Sequence, residues 1–541
     1  MTNSKHKLHQ IPKDGWEGLK ENFKTEAFSG FMVFLLALPL SIGIAKASDF
    51  PAIFGIITAI IGGIVVSFFA GSKITIKGPA AGLIVIASGA VSAFGGGDHG
   101  WHLALAAVVV AGLFQIVFGL LKFGKLSDLF PSAAIHGMLA AIGIIIMSKQ
   151  IHTLLGIPPS DLKGKEPLEL LAMIPSSIMH ENAHITEIGI ACLFILIIHS
   201  VIKNQKIKKI PAPLVVLAVS IPLGLALHIK TEGAVANFAL VKVGNIVETL
   251  QKSFINVDFS GISSNIGIFI EYVILFALIG SIESLLTVKA MDNIDPYERK
   301  SDANKDLVAI GIGNTLAGII GGLPMISEVA RSSANIGYGA KTRWANFFHG
   351  LFLLVAVLFA VPLIEMIPNA ALAAMLIFVG FRLAHPREFK HMYHIGIDQL
   401  IIFVATIITT LATDLLIGVG TGMAMEIIVN FIHGMSFKKL FKADYVVNQI
   451  NENHIQIDVK SELVFTNCYG FKEKLNQLPK GKIIYIQLAD AKVVDHSSIV
   501  SLDEFQRNYE REGGLVKIGG HDDHKKVSNH PKATRKKKMS V

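Results

Sequence analysis

Cysteine is nearly absent from this chain, and charge is scarce. Its 541 residues include two cysteines, Cys192 in an apolar run and Cys468 in the polar C-terminal part. That excludes a disulfide framework and a cysteine-based metal centre. Charged residues make up 17% of the sequence against 52% hydrophobic, whereas soluble domains carry about 25% charged residues. The N-terminal stretch "MTNSKHKLHQIPKDGWEGLKENFKTEAFSG" mixes Asp and Glu among its Lys. No short apolar core with a small-residue cleavage site follows it, so a removable signal peptide is not expected and the first apolar run should be retained. Short alternating apolar segments are also missing, which argues against a membrane β-barrel. The net charge of +8 does not point to nucleic acid. Basic residues in a membrane protein mostly report topology, and the surplus sits in loops and in the terminal "KATRKKKMSV".

What the sequence has instead is a series of long apolar runs. Runs near 20 residues cross a bilayer as helices, and helices satisfy their own backbone there. The runs fall at 28–46, 51–70, 79–94, 102–121, 129–148, 186–203, 211–229, 266–288, 306–322, 326–337, 344–363, 368–384, 397–412 and 414–434, about fourteen spans. The expected fold is an all-α polytopic membrane protein. Lys and Arg favour cytoplasmic loops. With the N-terminus inside, the inside loops receive Lys122, Lys125, Lys203, Lys206, Lys208, Lys209, Arg299, Lys300, Lys305, Lys341, Arg343, Arg382, Arg387 and Lys390, while Lys230, Lys242 and Lys252 run against the rule. Both termini are thus expected in the cytoplasm.

The third and tenth runs are short, and each follows a Gly- and Pro-containing stretch, "GSKITIKGPAAG" and "GGLPMISEV". Interrupted spans at corresponding positions suggest two halves of about seven spans, inverted because seven is odd, with a binding site where the breaks meet. A half-helix N-terminus at mid-membrane offers unpaired N–H groups and a positive dipole end, which suit an anion. Ordinary kinking by Gly and Pro is the alternative.

Ionisable residues inside a membrane span point to function. Lys77 precedes the third span, Glu283 lies in the eighth, and Glu328 and Arg331 lie in the tenth. Thr287 shares a helix face with Glu283. Hydroxyls accompany them at Thr75, Ser281, Ser284, Ser327, Ser332 and Ser333. Each has a structural alternative: a packing ion pair for Glu328 and Arg331, snorkelling for Lys77, a protonated core acid for Glu283. Glu271, Asp398 and Asp414 read as boundary charges. Counting Lys77 and Arg331 against Glu283 and Glu328, the site is neutral. An added anion then leaves excess negative charge in a low dielectric, which a proton or a sodium ion would offset.

From about residue 445 to 520, strand-like and helix-like segments alternate, as in "IQIDVKSELVFTN", "CYGFKEKLNQLP" and "KGKIIYIQLAD". They suggest a small α/β domain. The chain then divides into an N-terminal cytoplasmic segment (1–27), a transport domain (28–435), the small domain (445–520) and a basic tail (521–541) expected to be disordered.

Taken in order, "LALPLSIGIA", "KITIKGPAAGLIV", "GSIESLLTVKAMDN", "NKDLVAIGIGNTLAGIIGGLP" and "PMISEVARSSAN" resemble the SulP inorganic anion transporters, the family of pendrin and prestin. The resemblance runs from about residue 25 to 520. It implies an inverted repeat of seven plus seven spans like that of uracil permeases, with a core domain moving against a gate domain. The anion would sit between spans three and ten. Arg331 falls on the family's basic position, Glu283 on its acidic position, and the C-terminal domain resembles STAS, with "VVDHSSIVSL" at its helix start. The resemblance further implies a homodimer. The chain departs from the family pattern at Glu328, Ala330, Lys77 and His496.

The sequence reading is thus a secondary active transporter of the plasma membrane, not an enzyme, for sulfate or bicarbonate. It works by proton- or sodium-coupled symport or by exchange, without a cofactor. Arg331, Ser332, Ser327, Lys77, Gly78 and Ala80 are expected to bind the anion, and Glu283, Thr287 and Glu328 the coupling ion. A dicarboxylate or nucleobase carrier of the same fold and an anion channel are the alternatives.

Overall fold

The computed structural model describes residues 11–124, 130–162, 165–204, 207, 210–230, 238–244 and 257–538. Lys125, Lys206, Lys208, Lys209 and Lys252 of the topology argument lie outside the described residues, as do the first ten and last three residues. Every apolar run expected to span carries a helix. In chain order they are α1 (Gly15–Ala47), α2 (Ala52–Ile64), α3 (Ile84–Ala93), α4 (Gly97–Leu120), α5 (Ser132–Leu154), α6 (Pro167–Met179), α7 (Ala183–Val201) and α8 (Ala212–Ala226). There follow α9 (Ile266–Ile294), α10 (Ala303–Ile320), α11 (Val329–Gly337), α12 (Trp344–Phe359), α13 (Asn369–Leu383), α14 (Pro386–Ile395), α15 (Ile397–Ala412) and α16 (Leu415–Ile432). Eight helices among the described residues are long and apolar enough to cross a membrane. The short α6 and α14 were not expected from the sequence; α14 has a polar composition that hydropathy does not flag.

The chain divides into two compact units, one of residues 1–127 and 142–382, the other of 128–141 and 383–541. In the first unit the longest helices pack through small residues, as membrane helices do. A Cβ on Gly112 of α4 would come within 2.6 Å of Thr315 on α10, and one on Gly311 of α10 within 2.6 Å of the Gly112 carbonyl. The N-terminal part of α1 is polar but tied down. Glu26 is wholly buried, and its carboxylate accepts from the N–H groups of Lys341 (2.9 Å), Thr342 (3.2 Å) and Ala345 (3.1 Å). It thereby supplies the acceptor that the start of α12 lacks from its own N-cap.

Two interruptions organise this unit. After α2, the β-branched residues Ile74, Thr75 and Ile76 favour an extended chain, and Pro79 cannot continue a helix. The result is strand β1 (Ile76–Pro79), a 3-10 turn over Ala81–Leu83, then α3. After α10, Gly321 caps in the left-handed region at φ 104°, and Pro324 leads into strand β2 (Met325–Glu328) and α11. β1 and β2 pair antiparallel in the register Ile76↔Glu328, Lys77↔Ser327, Gly78↔Ile326 and Pro79↔Met325. Irregular backbone at membrane depth needs partners from the protein, and polar side chains of the surrounding helices supply them. Asn314 of α10 bonds the N–H of Met325 (2.6 Å) and its carbonyl (3.1 Å). Thr58 of α2 accepts from the N–H of Leu323 at 2.8 Å, and Ser284 of α9 from that of Ser327 at 3.1 Å.

The second unit contains α14 to α16 and the C-terminal domain. A four-stranded sheet runs in the order β3 (Tyr445–Asn451), β4 (His454–Val459), β5 (Ile483–Gln487), β7 (Leu515–Gly519). β3 is antiparallel to β4, while β4–β5 and β5–β7 are parallel. Helices α17 (Phe465–Asn476) and α18 (His496–Arg511) cover it, around a core that includes Ile457, Ile484, Phe471, Leu502 and Phe505. This mainly parallel α/β arrangement is the STAS-like domain. Asp495 caps α18, accepting from the N–H of Ser498 at 2.8 Å, and also takes the N–H of Phe465 (2.7 Å) and Nδ2 of Asn430 in α16 (3.2 Å).

Two expectations need correction here. The tail is ordered over its described residues 521–538: His524–Lys526 (β8) and Arg535–Lys537 (β9) form a three-stranded sheet with Val493–Val494 (β6), in the order β6-β9-β8. Composition misses this because the tail is held by backbone pairing and by the His524 ring, which bonds the carbonyls of Gly520 (2.8 Å) and Ala491 (2.6 Å). Asp398 is no exposed boundary charge either. It is 6% exposed, and neither of its carboxylate oxygens has a hydrogen-bond partner.

His496 gives this unit a pH dependence. Burial holds its imidazole down to about 4 from the usual 6.5, against the raising effect of a hydrogen bond to the Lys532 carbonyl. The unfolded chain therefore binds more protons than the folded one between about pH 6.5 and 4, so stability rises with pH in that window. Acidification below pH 6.5 is expected to lower the protection factors of amides in β4 and β5 of the full chain, that is, exchange corrected for its intrinsic pH dependence. His496→Gln should blunt that acid response, and an identical acid response in the variant would contradict the assignment.

Candidate functional site

The site forms where the tips of α3 and α11 meet the β1–β2 ribbon. Arg331 sits in the first turn of α11 and is wholly buried. Its guanidinium reaches back across the ribbon, and Nη2 donates to the Pro79 carbonyl at 3.3 Å. Nε and Nη1 are buried and have no hydrogen-bond partner among the described residues. Gly78 makes room for this pose, since a Cβ there would lie 2.7 Å from Nη1. A guanidinium carries five donors in a fixed fork, and leaving a charged donor buried without an acceptor costs more than the ~1–3 kcal/mol of a neutral one. Such a group calls for an acceptor from outside the chain.

Glu328 is the N-cap of α11. Its Oε2 accepts from the Arg331 N–H at 2.6 Å and lies 4.0 Å from Arg331 Nε. The carboxylate is thus engaged mainly by the backbone at the helix tip. Its side chain keeps 19% exposure, against 0% for Arg331.

Glu283 of α9 is 7% exposed, and its Oε1 is buried without a partner. The carboxylate lies against Gly82 in the 3-10 turn, where a Cβ would come within 2.2 Å of both oxygens. Thr287 is buried one turn further along α9. An acceptor without a donor in this setting is satisfied by a proton of its own or by a cation.

The remaining expected ligands are placed differently. Lys77 is wholly buried and does not snorkel. Its ammonium is 3.0 Å from Asp306 of α10 and is also bonded to Thr75 Oγ1. Ser327 donates its hydroxyl to the other Asp306 oxygen at 2.9 Å, and Ser332 Oγ accepts from the Ile76 N–H at 2.9 Å. Ala80 is buried and starts the 3-10 turn, its carbonyl accepting from the Leu83 N–H at 3.2 Å. Arg331, Gly78, Glu328 and Glu283 therefore have groups free for a ligand or shape the space for one, whereas the polar groups of Lys77, Ser327 and Ser332 hold the ribbon together.

Sequence reasoning missed Asp306, Gly82 and His349. Asp306 reads as a charge at the start of a span, in a helix whose N-cap is Asp302, and only the fold brings it under Lys77. His349 of α12 is wholly buried and feels the charge of Arg331. With Lys77 paired to Asp306, the ionisable groups left at the site are Arg331, Glu283 and Glu328.

Residues 23–406 match the model of the Sulfate permease family. The putative sulfate transporter YvdB of Bacillus subtilis (strain 168) is 28% identical, over 77% of this chain and 75% of its own length. The bicarbonate transporter BicA of Synechocystis is 29% identical, over 74% of this chain and 68% of its own. The solved transmembrane domain of a cyanobacterium bicarbonate transporter BicA superposes with a TM-score of 0.64 at 26% identity, covering 74% of this chain and 97% of that one. The murine Solute Carrier 26 family member A9 anion transporter, in an inward-facing state, has a TM-score of 0.65 at 14% identity, covering 94% and 86%. At that identity the likeness concerns the fold alone.

Proposed function

Because the chain belongs to the sulfate permease family, a family of transporters and not of enzymes, we propose that it carries sulfate or bicarbonate across the plasma membrane by secondary active transport. The observation that carries this reading is Arg331: a wholly buried guanidinium at the meeting of two half-helix tips, with two donors lacking an acceptor. A small oxyanion supplies acceptors to both in one plane. Lys77 serves as a ribbon anchor and Gly78 as the clearance for the guanidinium. Both termini lie in the cytoplasm, and the functional unit is a homodimer.

Glu283, with Thr287 beside it, is the coupling group, taking a proton or sodium ion as the anion enters. Replacing Glu283 by Gln is expected to abolish cation-driven accumulation while anion binding survives. The measurement is uptake of labelled sulfate and labelled bicarbonate by proteoliposomes under imposed sodium or proton gradients. Undiminished accumulation in the variant would remove Glu283 from the coupling step. Saturation with a fixed stoichiometry marks a carrier, while large non-saturating currents would mark a channel and overturn the reading.

A further inference from the structure

Glu328 is the feature that this reading leaves unexplained. A carboxylate next to an anion site weakens anion binding through repulsion, and this one occupies the spot that an anion would prefer. Its Oε2 takes the Arg331 N–H at the tip of α11 at 2.6 Å, in the positive end of the helix dipole. The same oxygen is the acidic atom facing Arg331 Nε, at 4.0 Å, too far for a hydrogen bond. Glu328 also keeps some exposure where Arg331 has none.

Building on the proposed anion transport, we infer that Glu328 is a tethered competitor of the transported anion. Its carboxylate holds the α11 tip in the absence of substrate. An incoming anion takes over the backbone N–H and engages the Arg331 donors, and the Glu328 carboxylate swings out. The other charged groups facing Glu328 are Arg331 on its own helix and Glu283 on α9, which feels the Glu328 charge. Lys77 on the paired strand β1 is already neutralised by Asp306 on α10. His349 on α12 faces Arg331. An anion bound beside an ionised Glu328 would share the α11 tip with that carboxylate, so moving the carboxylate away removes the repulsion and opens the Arg331 N–H to the anion.

Two substitutions test this while keeping an N-cap acceptor for α11: Glu328→Gln, which is isosteric, and Glu328→Ser, a strong cap residue. Binding of labelled sulfate and of labelled bicarbonate to the full-length protein is measured from pH 6 to 8, with folding checked by gel filtration. Both variants are expected to bind the preferred anion at least tenfold more tightly than wild type at pH 8. Wild-type affinity in both variants at every pH would show that Glu328 is only a helix cap. Weaker binding in the folded variants would show that it supports the anion, and either result overturns the competitor role. Absence of binding of either anion to wild type and to both variants would instead overturn the anion-transport reading on which the inference rests.

Discussion

Replacing Arg331 by Gln is expected to lower saturable anion uptake at least a hundredfold, equivalent to about 2.8 kcal/mol. The size follows from what is lost. The guanidinium has two donors without an acceptor, and each hydrogen bond to a charged group is worth about 1.5–3 kcal/mol. Gln keeps a single amide donor group and no charge. Arg331→Lys should recover only part of the activity, because an ammonium is a point charge and cannot present the planar fork. Proteoliposome uptake across a range of anion concentrations separates the cases, provided that the folded fraction is equal. Near wild-type uptake in Arg331→Gln would remove the central ligand from the proposal.

The second large effect concerns folding. Lys77 and Asp306 are a fully buried pair, 0% and 1% exposed, at 3.0 Å. Removing one partner of such a pair strands the other charge and costs about 3–5 kcal/mol, whereas removing both is often neutral. Asp306→Asn and Lys77→Met should each lower the thermal stability of the detergent-solubilised chain sharply. Lys77→Met combined with Asp306→Asn should recover most of it, since Asn still offers one acceptor to the Ser72 N–H or the Ser327 hydroxyl. If the double variant is as unstable as the worse single one, Lys77 has a role beyond pairing. Retained anion affinity in that double variant would confirm that the lysine is not a ligand.

The sequence disclosed the helices because a bilayer demands long apolar runs, and each expected span carries one. It disclosed the two breaks through Pro79 and Pro324, whose chemistry is local. It could not disclose the partners of the polar residues. Lys77 read as an anion ligand because its counter-charge, Asp306, lies more than 200 positions along the chain, and no periodicity links the two. Ser327 and Ser332 read as ligands for a similar reason: a hydroxyl beside a break suits an anion or an orphan backbone group equally well. The α11 tip was legible in composition and illegible in geometry. The sequence puts Glu328 and Arg331 in one span as a possible ion pair, yet Glu328 ends the strand and caps the helix, so the two meet through a backbone N–H more than through their charged ends. The tail shows the converse limit, where a Lys-rich composition hides a strand held by main-chain pairing.

The antiparallel pairing of β1 with β2 has one more consequence. Main-chain bonds lock the α3 tip to the α11 tip, so the two cannot drift apart while those bonds last. On the proposed reading, cargo gripped between them is not passed from hand to hand but rides in a fixed saddle. What changes in a transport cycle must then be the walls around the saddle, and a cross-link between Ile76 and Glu328 positions should leave the journey possible.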